Sequence, residues 1–201
     1  MERNVTEVIQ FEIPNGSLLI SVGLPGSWKS PVTEEIAGVK GFDLLRTDLI
    51  RLEVLKGLDI FKGQVASDPE NRKKVYEEMF RRAEKALTAD GRGLILDATF
   101  FTRELRFRAA ELAEKAGRSF VIAECVCSEE RSIQRILKRT KENYESNALT
   151  REAYLSNKAV FQAVDIEEIK GRFKTLSIIH IIIDTEYDPP SDWKIKKIEK
   201  R

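Results

Sequence analysis

The chain has 201 residues, 42% of them hydrophobic and 33% charged. That is enough apolar material for one large core, and two domains would be cramped, so a single domain over residues 1–201 is expected. Lys plus Arg total 34 against 33 for Asp plus Glu, a formal net charge of +1, which excludes a global electrostatic pull toward nucleic acid or membrane and leaves only local basic patches open.

Taken in chain order, residues 1–15 read as an irregular lead-in. Residues 17–22, "SLLISV", are a short apolar run that reads as a buried strand. This run is far too short to span a bilayer, and no secretory leader pattern is visible, so a cytoplasmic location and no membrane partner are expected. "SWKSPVTEEIAG" reads as a helix, with Pro31 tolerated in its first turn. "GFDLLRTD" reads as the second strand, and "LIRLEVLKG" has helical spacing with a terminal glycine. Ser67-Asp68-Pro69-Glu70 is a strong helix start, and that helix should stop near Asp90-Gly91. "GLILDATF" is the third strand, followed by a helix capped by Thr102 and ended by Gly117. "SFVIAECVC" is the fourth strand, and a helix begins at Ser128. A polar stretch, 140–150, leads to a helix capped by Thr150. "SIIHIIID" is the fifth strand, and "SDWKIKKIEK" reads as a terminal helix. Five apolar strands alternating with helices predict an α/β fold, a parallel sheet covered on both faces.

The loop between the first strand and its helix carries the strongest motif. Gly23-Leu24-Pro25-Gly26-Ser27-Trp28-Lys29-Ser30 matches the phosphate-loop pattern G-x-x-x-x-G-K-[ST] except at Trp28, where glycine is expected. Backbone N–H groups there would meet phosphate oxygens, Lys29 would place a charge at the β/γ-phosphates, and the Ser30 hydroxyl would coordinate Mg²⁺. The nucleotide-binding set is therefore Gly23, Pro25, Gly26, Ser27, Trp28, Lys29 and Ser30, with ATP and Mg²⁺ as cofactors. Trp28 must tolerate the glycine backbone or shift it, and its ring could point away from the nucleotide, since only its main chain needs to face phosphate.

Three further places carry chemistry. Asp48 and Arg51 fall at the carboxyl end of the second strand, the edge where open α/β sheets bind ligands. Asp48 could accept a hydroxyl proton during phosphoryl transfer, and Arg51 could hold an anionic substrate group; a helix cap with an exposed arginine is the alternative. Asp97 ends the third strand and could hold Mg²⁺ through water or orient substrate, with Thr99 and Arg103 following into the same cleft; an Asp that merely caps a turn is the alternative. Arg131, Arg135 and Arg139, spaced by four, share one helical stripe. With the polar segment they would form a lid over residues 131–155, from which Arg135 or Arg139 could clamp the transferring phosphoryl group; a solvated face is the alternative. Cys125 and Cys127 are too few and too close for a disulfide scaffold or zinc site, and His180 reads as a core or strand-edge residue.

"GLPGSWKS", "RTDLIR", "LILDATFFTRELR" and "ECVCSEERSIQRILKR", in this order, resemble the AAA-type P-loop kinases. These are small kinases related to polynucleotide kinase, zeta toxin and the ATP-binding half of bacterial fusions with an aminoglycoside-phosphotransferase-like domain. The resemblance covers residues 17–185. It implies a P-loop NTPase fold, a three-layer α/β/α arrangement with a five-stranded parallel sheet in the order 2-3-1-4-5 and a small helical lid. It implies catalytic roles for Lys29, Asp48 and a lid arginine, Arg135 or Arg139. It implies substrate contacts at Arg51 and Asp97. The departures are Trp28 for the loop glycine, Pro31 after Ser30, and Leu49 where a second acid often follows the catalytic one. The implied activity is transfer of a phosphoryl group from ATP to a hydroxyl on a small molecule or on a short nucleic-acid end. A nucleotide-binding regulator that transfers nothing is the alternative that Trp28 favours, and a non-binding remnant is a third.

Overall fold

Short runs centred on apolar residues become strands β1 (Leu18–Val22), β2 (Asp43–Arg46), β3 (Leu94–Asp97), β4 (Phe120–Val126) and β5 (Ile178–Asp184), and the mostly charged run Lys194–Lys200 becomes β6. In the computed structural model, which describes residues 4–62, 65, 68–88, 91–139 and 148–201, they form one sheet in the order β2-β3-β1-β4-β5-β6. The first five strands are parallel in the expected order 2-3-1-4-5. The sixth is an antiparallel edge strand on β5, so the sheet is mixed and the expected terminal helix does not form.

The described helices are α1 (Val5–Glu12), α2 (Lys29–Lys40), α3 (Thr47–Val54), α4 (Pro69–Leu87), α5 (Arg103–Lys115), α6 (Glu129–Leu137), α7 (Arg151–Val160) and α8 (Ile166–Arg172). The expected irregular lead-in is a helix instead. Asn4 caps α1 by accepting the Thr6 N–H, and Val5, Val8 and Ile9, spaced on one helical face, are buried. The caps at Asp68, Thr102, Ser128 and Thr150 form as the sequence predicts, each side chain accepting first-turn N–H groups.

The sheet separates two apolar layers. Alternate residues of a strand face opposite sides, so Leu18, Ile20 and Val22 pack with α4, α5 and α8, whereas Leu19 packs with α1 and α2. No helix among the described residues is long and apolar enough to cross a membrane. Of the expected lid, residues 140–147 lie outside the described residues. The layering brings the carboxyl ends of β1, β2 and β3 to one edge, together with the N-termini of α2 and α3.

Candidate active site

The turn from β1 into α2 needs its glycines. Gly23 has φ 149°, and a Cβ there would lie 2.5 Å from the Cys125 carbonyl oxygen; at Gly26, φ 82°, it would lie 2.4 Å from that of Ser132. Side chains at these positions would collide with backbone, so the loop is confined to glycine by space as well as by dihedral. Trp28 holds the left-handed conformation that glycine would supply, φ 58° and ψ 32°. A bulky residue there carries a steric penalty of roughly 1–2 kcal/mol. The ring does not leave the site: it lines the cleft, packs against the apolar layer beneath α2, and lies under the Arg135 guanidinium at 4.8 Å.

Lys29 opens α2 and folds back on the loop, its Nζ donating to the Leu24 carbonyl at 2.9 Å. Burial lowers its pKa, and Asp97 and Asp48 act against that shift. Ser30 Oγ donates to Asp97 Oδ2 at 2.6 Å, and Ser21 Oγ lies 2.9 Å from Asp97 Oδ1. Asp97, 5% exposed, thereby joins β1, β3 and the helix that follows the loop. Burial raises its pKa, opposed by the Ser30 hydrogen bond and the Lys29 charge. Ser27 Oγ is buried in the loop without a hydrogen-bond partner, which leaves a polar atom for a ligand to satisfy.

Lys29, Ser30 and Asp97 line one cleft of about 730 Å³, a size that suits a nucleotide and a small acceptor; Gly23 and Ser27 of the loop lie behind its lining. Pro25, Gly26, Trp28, Lys29 and Ser30 form one wall; Thr47, Asp48 and Arg51 on α3 form another. Asp48 Oδ1 accepts from Arg51 Nη1 at 2.5 Å, a pair three residues apart on one helix turn. Thr99 lines the cleft too, and its carbonyl accepts the Gly23 N–H at 3.4 Å.

Two expected residues have other surroundings. Arg103 does not line the cleft; it opens α5 with its side chain 52% exposed and pairs with Glu168 of α8 at 3.1 Å. Arg135 lines the cleft but its donors are occupied. Nη2 donates to the Thr185 carbonyl (2.5 Å) and Asp188 Oδ1 (2.9 Å), Nε to the same carboxylate oxygen (3.1 Å), and Nη1 to the Gly26 carbonyl (3.2 Å) while facing Cys127 Sγ at 3.6 Å. Arg135 therefore latches the phosphate loop to the segment after β5, rather than reaching across as a lid arm. Arg131 shares Asp188 at 2.9 Å. Arg139 lines the cleft, donates to the Ala148 carbonyl at 3.3 Å, and lies close enough to Lys29 to lower its pKa.

The sequence reading missed Arg46, Arg72, Tyr76 and Glu34 in the cleft. Arg72 stacks over Phe101 at 5.4 Å. Arg46 was readable in principle: it ends β2, in register with Asp97 on β3, at the ligand edge of the sheet. His180 is 3% exposed with Nε2 2.7 Å from Glu124 Oε2, a buried strand residue outside the cleft.

The donors present fit a hard cation. Ser30 and Asp97 offer oxygen ligands, and no group of three or more His, Cys, Asp or Glu gathers as a metal cage among the described residues. These two residues would suit Mg²⁺ if water and phosphate completed its shell.

The model of the AAA domain family matches residues 18–164. The chain belongs to the AAA domain family. Its fold is that of P-loop kinases. A sugar kinase from Janibacter sp. superposes with a TM-score of 0.57 at 17% identity, covering 87% of each chain. A gluconokinase from Sinorhizobium meliloti superposes with a TM-score of 0.54 at 16% identity, over 88% of this chain and 86% of that one. The AvrRxo1-ORF1:-ORF2 complex solved with ATP gives a TM-score of 0.60 at 14% identity, over 97% of this chain and 61% of its counterpart. A search of curated proteins gave no match.

Proposed function

We propose that this AAA-family protein is an ATP- and Mg²⁺-dependent phosphotransferase acting on a hydroxyl, carried by a small molecule or by the 5′ end of a short nucleic acid. One observation carries the reading: the Ser30–Asp97 contact closes the phosphate loop onto the strand-end acid, with Asp48 in the same cleft. Binding sites for phosphate and a base for a hydroxyl proton then face one space. The P-loop kinase fold, including a relative solved with ATP, supports nucleotide as the donor.

In this reading Lys29 and the loop amides hold the β- and γ-phosphates. Ser30, and Asp97 through water, would hold Mg²⁺, which would supply charge to neutralise the phosphates. Asp48, oriented by Arg51, accepts the acceptor's proton as the new P–O bond forms. Trp28 favours a second reading, a nucleotide-binding regulator without transfer, because glycine ordinarily frees this turn.

Calorimetric titration of ATP, with and without Mg²⁺, into wild type, Lys29→Ala and Asp48→Asn separates the readings. Micromolar binding lost in Lys29→Ala and kept in Asp48→Asn is expected, with phosphoryl transfer to water or acceptor lost in Asp48→Asn. Binding with equal turnover in wild type and Asp48→Asn would leave the regulator; no binding to wild type would sink both.

A further inference from the structure

Of the two lid arginines expected to meet the transferring phosphoryl group, Arg135 is spent on structure and Arg139 stays in the cleft near Lys29, which raises the question of whether a further cation serves that task. Arg135 has a partner at each of its N–H positions. A guanidinium has five donors, and one with all five engaged has nothing to offer a phosphate without breaking the latch. Arg46 is the contrary case. Its Nη1 donates to Glu34 Oε1 at 2.9 Å, its Nε stands 3.6 Å from Asp97 Oδ2, and Nε is buried without a hydrogen bond. Those contacts leave most of its five donors unused.

The position is as telling as the spare capacity. Arg46 ends β2 opposite Asp97 and precedes Asp48 by two residues. It therefore neighbours the acid that receives Ser30 across the sheet and the acid assigned as base along the chain. A phosphoryl group passing from a nucleotide held by Lys29 and Ser30 to a hydroxyl at Asp48 would move within the same cleft, which Arg46 also lines. The Glu34 carboxylate that restrains Arg46 is 56% exposed, so the pair is a weakly held one that a phosphate can outcompete.

We propose that Arg46 is a further catalytic residue, whose guanidinium turns from Glu34 to the transferring phosphoryl group and stabilises the charge on its oxygens. The inference rests on the kinase reading above. In the step itself the acceptor oxygen forms a bond to the γ-phosphorus and the bond to the β–γ bridging oxygen breaks. ADP leaves with that electron pair, and the hydroxyl proton goes to Asp48. Arg46 exchanges no proton and acts only through charge and hydrogen bonds.

The test compares ADP–Mg²⁺ with ADP–Mg²⁺ plus aluminium fluoride, which mimics the phosphoryl group in flight, by calorimetry on wild type, Arg46→Met, Arg46→Lys and Glu34→Gln. ADP affinity is expected to stay within about threefold in every variant, whereas the fluoroaluminate complex weakens roughly 100-fold in Arg46→Met and less in Arg46→Lys. Glu34→Gln is expected to bind the complex as well as wild type or better. A merely structural Arg46–Glu34 pair would make Arg46→Met and Glu34→Gln alike, which would overturn the proposal. So would equal losses for ADP and its fluoroaluminate complex, or a wild type that binds ADP without favouring aluminium fluoride. Thermal melts screen for folding, and if Arg46→Met does not fold, an unchanged Arg46→Lys overturns the proposal. A wild type that binds no ADP at all marks instead the failure of the kinase reading.

Discussion

Phe100 and Trp28 are the two non-glycine residues with left-handed backbone among those described, at φ 44° and φ 58°. Each follows a strand of the ligand edge, β3 for Phe100 and β1 for Trp28. The difference lies in what offsets the strain. Phe100 is fully buried, with the rings of Tyr76 and Phe80 edge-on at 5.7 and 6.3 Å. Its N–H donates to the Tyr76 hydroxyl, and its carbonyl accepts from Arg106. Trp28 is half-buried, faces the cleft, and is covered by a cation, Arg135, that is itself tied to Asp188. Core packing holds one bend and an electrostatic latch holds the other. The first fixes the path of Thr99 and Phe101 into the cleft as part of global stability. The second can be altered with less damage to the rest of the molecule.

The largest expected effect breaks the core side. Phe100→Ala removes a fully buried ring and keeps the left-handed Cβ, so a loss of about 3–5 kcal/mol is expected. In a chain of this size that lowers the melting temperature by roughly 10 °C. A fall of only a degree or two would mean that the aromatic cluster around Phe100 does not brace the bend.

A subtler cut tests the hydrogen bond alone. Burial pushes the Tyr76 hydroxyl up to about 12, so it stays protonated across ordinary pH and remains available to the Phe100 N–H. Tyr76→Phe leaves that N–H buried without an acceptor, at an expected loss of about 1–3 kcal/mol in urea unfolding. ADP affinity should be unchanged, because the hydroxyl serves the backbone and not the nucleotide wall. Unfolding midpoints that coincide with wild type would show that packing suffices.

How far this was legible in the sequence follows the range of each signal. The phosphate loop and the helix caps rest on local patterns, and local patterns survive folding; the strand order 2-3-1-4-5 is non-local and was legible only through the family resemblance. β6 misleads because Ile195 and Ile198 are three apart, a helical spacing. A register shift between Ile182 and Ile183 lets both isoleucines pack against the same apolar layer from a strand. The stripe of Arg131, Arg135 and Arg139 was visible, but its partner Asp188 lies some fifty residues on, so the latch was not. Arg46 opens "RTDLIR", but nothing in that motif gives it a role; the pairing of β2 with β3 is what brings it to Asp97. Arg103 is near Asp97 in sequence, but the fold pairs it with Glu168 of α8, a contact 65 residues away that no local pattern signals.

The smallest expected effect is the one most specific to the latch. Trp28→Ala and Trp28→Gly delete the same ring and the same contact with Arg135. They differ in that alanine keeps a Cβ on left-handed backbone and glycine does not. Glycine also gains unfolded-state freedom, which offsets part of the relief. The glycine variant should nonetheless be the more stable by about 1 kcal/mol, or roughly 2–4 °C in melting temperature. It should also keep ATP affinity, since the main chain at this position is what phosphate would meet. Equal melting of the two variants would mean that the loop relaxes out of φ 58° once the ring is gone, so that Trp28 and its arginine impose the bend and do not merely tolerate it. Glycine more stable than alanine means that the loop dictates the bend, and the tryptophan is a guest held there by its cation.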